Sequence, residues 1–171
     1  KDKLIPIKLA MKFKKDIIYP FALSDKNSEG IFKIGQLSYM STLNKINPNS
    51  FYTYFKNIII FIFFFNSKIY PKKYKVKIKR LDAITEIKKS KKIDLIKIDT
   101  EGHELNVIKG MGKIIDKTKL ILFEYHYDSS IIKKYNFDDI NNYLKTKGFM
   151  VISKNKMIFR QGYEYIFKKV A

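Results

Sequence analysis

The pattern that organises the chain lies between positions 93 and 115. Ile93, Leu95, Ile96 and Ile98 form a nearly unbroken apolar run, as expected of a strand covered by helices on both faces. Asp99, Glu101 and Glu104 then arrive together around Gly102, and beyond them Leu105, Ile108, Met111 or Gly112, and Ile115 recur at helical spacing. This predicts a strand, a sharp acidic turn and a helix. The acids would sit at the carboxyl end of the strand and over the helix amino terminus, where the helix dipole favours negative charge. Open α/β sheets place their ligand crevice at that end.

The flanking pattern repeats the alternation. Residues 17–23 read as a strand, with Pro20 near an end or edge because it has no N–H to donate. Residues 24–30 are a polar turn, 31–34 a short strand, and 36–49 a loop offering the hydroxyls of Ser38, Ser41 and Thr42. From Tyr74 to Arg80 lysines alternate with apolar residues, so one face of that strand is wet. Asp82 is a plausible cap for a helix carrying Ile84 and Ile87. Residues 118–126 read as the next strand, whose apolar run at 119–123 ends in Glu124, Tyr125 and His126. Asp138 or Asp139 can cap a helix bearing Ile140, Tyr143 and Leu144, closed by Gly148. Residues 149–153 and 163–168 are close enough in sequence to pair as an antiparallel hairpin. The fold class is therefore α/β: a doubly wound, mostly parallel sheet with a carboxyl-terminal antiparallel hairpin.

One stretch fits this scheme poorly. Residues 51–65 include eight consecutive apolar positions from Ile58 to Phe65, too few to span a bilayer, which takes about twenty. Three readings stay open: a buried helix or strand, an aggregation-prone edge, or a patch for a membrane surface or partner. Lys56 and Lys68 on either side suit an anionic surface.

Composition narrows the classes. At 171 residues the chain can bury one core, so a single domain is expected. Lys and Arg total 35 against 16 acids, a formal charge of +19, which would attract nucleic acid, phosphorylated sugars or acidic lipid. Arg80 and Arg160 are the only arginines. Readers of bases and phosphates favour the arginine fork, and the lysines here are spread along every element, so a specific nucleic-acid partner is not expected. The absence of cysteine excludes disulfides, thiolate catalysis and thiolate metal sites. The chain opens on Lys1, and we expect it to be a piece of something longer, with cytoplasmic placement as the default.

The acids have an ordinary reading as helix caps, and for Glu104 alone capping suffices. Asp99 and Glu101, two residues apart at a strand end and followed by a glycine, look more like a site. His126 alone reads as a satisfied structural histidine, though its strand-end position beside the acidic turn makes it a candidate too. His103 and His126 lie on separate elements with no ligand spacing, so no metal site is assigned. Gly110 and Gly112 fall inside a helical pattern and point to packing or termination, not to a nucleotide loop.

Taken together, Ala22-Leu23-Ser24-Asp25, then Leu81-Asp82, the run from Lys97 to Glu104 with Ile108-Lys109-Gly110, Leu122-Phe123-Glu124 and Lys147-Gly148-Phe149 resemble the carboxyl-terminal part of FkbM-type methyltransferases. The likeness runs from about position 17 to 167, and Asp-Thr-Glu-Gly-His-Glu is its specific part. It implies a partial Rossmann-like class I methyltransferase sheet that uses S-adenosylmethionine to methylate an oxygen on a sugar, glycan, lipid-linked saccharide or secondary metabolite. It also implies a single truncated domain over 1–171 that lacks the glycine-rich donor-loop half. In that case sheet edges are left bare or the remnants pair directly.

The resemblance places Ala22, Leu23, Ser24 and Asp25 near the adenine of the donor. A neutral hydroxyl acceptor needs a base as the bond to carbon forms. Asp99, Glu101, His103, Glu124 and His126 are the candidates, with Glu101, Asp99 and His126 preferred in that order. The alternative function is a basic binding module for nucleic acid or an anionic membrane surface, and such a surface also stays open as a partner of the enzyme.

Overall fold

The structure is a computed structural model that describes residues 17–34, 42–64, 72–158 and 160–170. Ser38, Ser41, Phe65, Lys68 and the amino-terminal segment before Ile17 lie outside the described residues.

Three sheets account for the strands. The largest has four: β5 (Ile93–Ile98), β6 (Thr118–His126), β9 (Gly162–Lys169) and β8 (Phe149–Lys156), in that spatial order. A second joins β1 (Ala22–Leu23), β4 (Lys72–Lys79) and β2 (Ser28–Ile34), and a third is the short ladder of β3 (Lys45–Ile46) with β7 (Ile131–Ile132). The helices are α1 (Phe51–Phe64), α2 (Thr85–Lys89), α3 (Glu104–Gly110) and α4 (Phe137–Thr146).

The architecture is mixed α/β, and it is less parallel than the hydrophobic pattern implies. Among the described strands only β1 with β4 and β5 with β6 run parallel, while the other four pairings are antiparallel. The expected hairpin is there, with β8 and β9 each extending beyond the predicted limits. β1 pairs with β4 and not with β5, so β5 is an edge of the large sheet and its far side carries no strand among the described residues.

Alternation along β6 sets the core. Ile121, Phe123 and Tyr125 point to one face and are buried, as the period of two demands. Phe123 meets Tyr165 and Phe167 of β9 with ring centroids 5.8 and 5.5 Å apart. Ile108 of α3 and Ile140 and Leu144 of α4 belong to the same buried cluster. The expectation that β5 is covered on both faces is corrected: Ile98 is buried, but Leu95 is 51% exposed on the opposite face.

Several local predictions also change. The strand expected over 17–23 contracts to β1. Asp82 does not cap α2; both its oxygens accept from the guanidinium of Arg80 (2.8 and 2.6 Å). Asn136, not Asp138 or Asp139, caps α4, with Asp139 returning the bond to the Asn136 N–H in a capping box. The helix after Gly102 stops at Gly110, and a 3₁₀ turn over Gly112–Lys117 follows, starting at a glycine with φ +50°. The apolar stretch is the helix α1, yet Phe51, Tyr54, Phe55, Ile58 and Ile62 are exposed, which rules out burial for those side chains. No helix among the described residues is long and apolar enough to cross a membrane.

Candidate active site

Parallel pairing of β5 with β6, in register Ile98↔Phe123, brings the turn after β5 beside the end of β6. Glu101 and Gly102 occupy that turn with φ of 47° and 90°. A left-handed glutamate costs about 1 kcal/mol or more and persists only where its surroundings hold it. Thr42 Oγ1 donates to the Glu101 carbonyl (2.8 Å). The Gly102 N–H donates to Glu104 Oε1 (2.7 Å), which also accepts from Thr100 Oγ1 (3.2 Å), while Tyr135 OH donates to Oε2 (2.7 Å). Glu104 is thus a buried brace for the turn rather than an exposed cap.

The Glu101 carboxylate is buried against Arg160, which arrives from the loop between β8 and β9. Arg160 Nη1 donates to both Glu101 oxygens (3.0 and 2.8 Å), and Nε donates to Asp128 (3.0 Å). His126 completes the group: its Nε2 lies 3.0 Å from Arg160 Nη1, 3.7 Å from Glu101 and 3.9 Å from Glu124. Since guanidinium only donates, Nε2 accepts and the ring proton sits on Nδ1, which is buried with no partner among the described residues. Burial and the adjacent Arg160 charge push the His126 pKa down to about 4. At neutral pH the ring is therefore uncharged, and its approaches to the carboxylates are dipolar contacts, not ion pairs.

Burial raises Glu101 despite the opposing pull of Arg160, and it raises Glu124 with help from the Asp99 charge. Burial also pulls Asp128 upward, but hydrogen bonds from Ser130 and the Arg160 charge outweigh it and hold the carboxyl low. Among the described residues no hydrogen bond reaches the carboxylates of Glu124 or Asp99; Asp99 stays half-exposed with Lys97 at 3.9 Å.

His103 goes elsewhere. Its Nε2 lies 2.9 Å from Ser24 Oγ and its Nδ1 3.1 Å from Asn44 Oδ1, while Ser24 Oγ donates to Asp25 Oδ1 (2.9 Å). Burial lowers the pKa of His103. Ser24, Asp25 and His103 line a hollow of about 290 Å³ together with Asn106, Ile31, Leu43 and Ile78. Gly110 permits this closeness, because a Cβ there would collide with the Ser24 carbonyl. Ala22 and Leu23 do not line the hollow; they form the ladder with β4, and Leu23 packs on the core.

The chain matches the Methyltransferase FkbM domain over residues 11–151. It belongs to the FkbM methyltransferase family. No curated protein and no solved structure matches it. As an FkbM methyltransferase the chain brings three of the five candidate side chains, Glu101, Glu124 and His126, around one arginine. Asp99 stands at the rim of the group, and His103 joins Ser24 and Asp25 in the neighbouring hollow.

Sequence reasoning passed over Arg160, Asp128, Ser130 and Tyr135 as site residues. One signal was there: in a chain whose cations are otherwise all lysine, both arginines engage carboxylates through several nitrogens, a geometry one ammonium cannot reproduce.

Proposed function

We propose that this methyltransferase uses S-adenosylmethionine to methylate a hydroxyl on a sugar, glycan or secondary metabolite. The observation that carries the reading is the gathering of Glu101, Glu124 and His126 at the ends of two adjacent parallel strands, with His126 Nε2 within 4 Å of both carboxylates. Methyl transfer to an alcohol is an in-line displacement in which a base takes the hydroxyl proton as the carbon–oxygen bond forms.

Glu124 suits that task best. Burial and the Asp99 charge raise its pKa, and among the described residues no hydrogen-bond donor is committed to its oxygens. Glu101 has the stronger claim by sequence, but Arg160 occupies both its oxygens, so its role is to hold the turn and fix the arginine. His126 offers its one lone pair to Arg160 and orients rather than abstracts.

The hollow beside His103 fits the adenosyl end of the donor. Ile31, Leu43 and Ile78 give an apolar wall for a flat base, and Asp25 and Asn106 give polar groups for its edge or the ribose. Family members place a glycine-rich turn for the methionine end upstream of the Ala-Leu-Ser-Asp segment, so a version of the chain extended at its amino terminus is the informative comparison. Calorimetric titration of S-adenosylmethionine into this chain and into such an extended version tests the assignment. Binding by the extended form supports it, and binding by neither overturns it.

A further inference from the structure

We propose that α1 is an interfacial helix that docks the protein onto an anionic membrane surface. Phe51, Tyr54, Phe55, Ile58 and Ile62 recur at helical spacing and form one outward stripe. Phe51 is 82% exposed and Ile62 59%, and the rings of Phe51 and Phe55 stack on this surface with centroids 6.2 Å apart. Single exposed apolar residues are ordinary, but five large ones in a continuous row mark a contact surface.

Away from the stripe, Tyr52 meets the candidate site: the Arg160 guanidinium lies 5.2 Å from the Tyr52 ring centre. Ser50 caps the helix, its Oγ accepting from the Thr53 N–H (3.0 Å).

Charge identifies the occupant. Between Glu29 and Asp82 the chain carries ten lysine and arginine side chains and no acid, and four of those lysines, Lys73, Lys75, Lys77 and Lys79, stand exposed along β4. A second copy of the chain would bring the same cationic stretch to the contact. Residues 1–16, with six lysines against two aspartates, would bring the same sign. Acidic lipid headgroups bring the opposite one, and hydrocarbon beneath them takes the aromatic and aliphatic stripe. At 14 residues α1 is about 21 Å long, short of the ~30 Å hydrocarbon core, so it lies along the surface instead of crossing it. This inference rests on the exposed face of α1 and on the cationic stretch of chain that contains it, and a failure of donor binding would leave it standing.

The chain contains no tryptophan, so Tyr54→Trp gives a single reporter in the stripe. The reporter protein is titrated with phosphatidylcholine vesicles, with and without phosphatidylserine, at ~0.1 M salt. The expected result is a blue shift, and quenching by brominated lipid, with the anionic vesicles only. Adding Phe51→Ser, Phe55→Ser and Ile62→Ser, with the fold checked by circular dichroism, lowers partitioning at least about tenfold. The proposal is overturned by any of four results: no shift with anionic vesicles, equal binding to neutral ones, undiminished binding of the serine variant, or a reporter already buried without lipid in a dimer or within the monomer.

Discussion

Arg160 closes on Glu101 across fifty-nine positions of chain, its Nη1 bridging the two carboxylate oxygens while Nε reaches Asp128. One cation thus pairs with two buried acids from two different loops and ties both to the end of the sheet. Its removal should be felt first in stability. Arg160→Met leaves two buried carboxylates uncompensated and is expected to cost about 3–5 kcal/mol. Arg160→Lys keeps the charge but not the span, and about 2 kcal/mol is expected. Urea denaturation of the two variants checks the order.

His126 gives the stability a pH dependence. Its folded pKa is pushed down to about 4, so below the ordinary histidine range the unfolded chain takes up a proton that the folded chain refuses. The histidine contribution is complete above about pH 6.5 and is lost as pH falls toward 4, amounting to about 3 kcal/mol. The raised carboxyls of Glu101 and Glu124 run the other way, contributing most below the ordinary glutamate range and losing it as pH rises. His126→Gln isolates the histidine share: the difference in urea midpoint between parent and variant should grow in the parent's favour as pH rises from 4.5 to 7.

Gly110 tests the link between α3 and the Ser24 hollow. Alanine gains about 1 kcal/mol of helix propensity, yet its methyl would collide with the backbone carbonyl of Ser24 and push β1 away. Gly110→Ala is expected to lose about 1–3 kcal/mol net and to weaken S-adenosylmethionine binding by the extended chain. A variant as stable as the parent would show that β1 can shift freely.

Methyl transfer separates the carboxylates. Glu124→Gln should lower kcat by roughly 10²–10⁴ while leaving donor affinity intact, the size of a lost general base. Asp99→Asn should move the acidic limb of the pH–rate profile to lower pH, because the Asp99 charge helps hold Glu124 up. Label transfer from S-adenosylmethionine to glycan and lipid fractions reads both, and an unchanged kcat in Glu124→Gln would remove it as the base.

Much of the frame was legible because it is local. The apolar run of β5, the acidic turn, α4 and the closing hairpin each follow from spacing within a dozen residues. Gly110 and Gly112 read correctly as packing and termination, since a Cβ would clash at the crowded contact of Gly110 and a side chain strains the positive φ of Gly112. Local reasoning failed where several residues could serve equally. Asn136 and Asp139 both suit a cap, and their reciprocal pairing assigned the roles. Asp82 had helix-cap chemistry, but Arg80 captured it. The exposure of α1 was undetermined for the same reason, because an apolar helix reads alike whether it faces a core or a surface.

What the sequence by itself determined is the strand ends at which the candidate groups gather: Asp99, Glu101, Glu124 and His126 sit where apolar runs stop, and that position follows from periodicity alone. Only the tertiary structure decided which of them lie together. The pairing of β5 with β6 and the return of Arg160 across the sheet drew Glu101, Glu124 and His126 into one group and left His103 to the Ser24 hollow. The reason is that hydrophobic patterning specifies which face of an element is buried. Which distant side chains meet at its end depends on strand order and register, and those are settled by the packing of the whole.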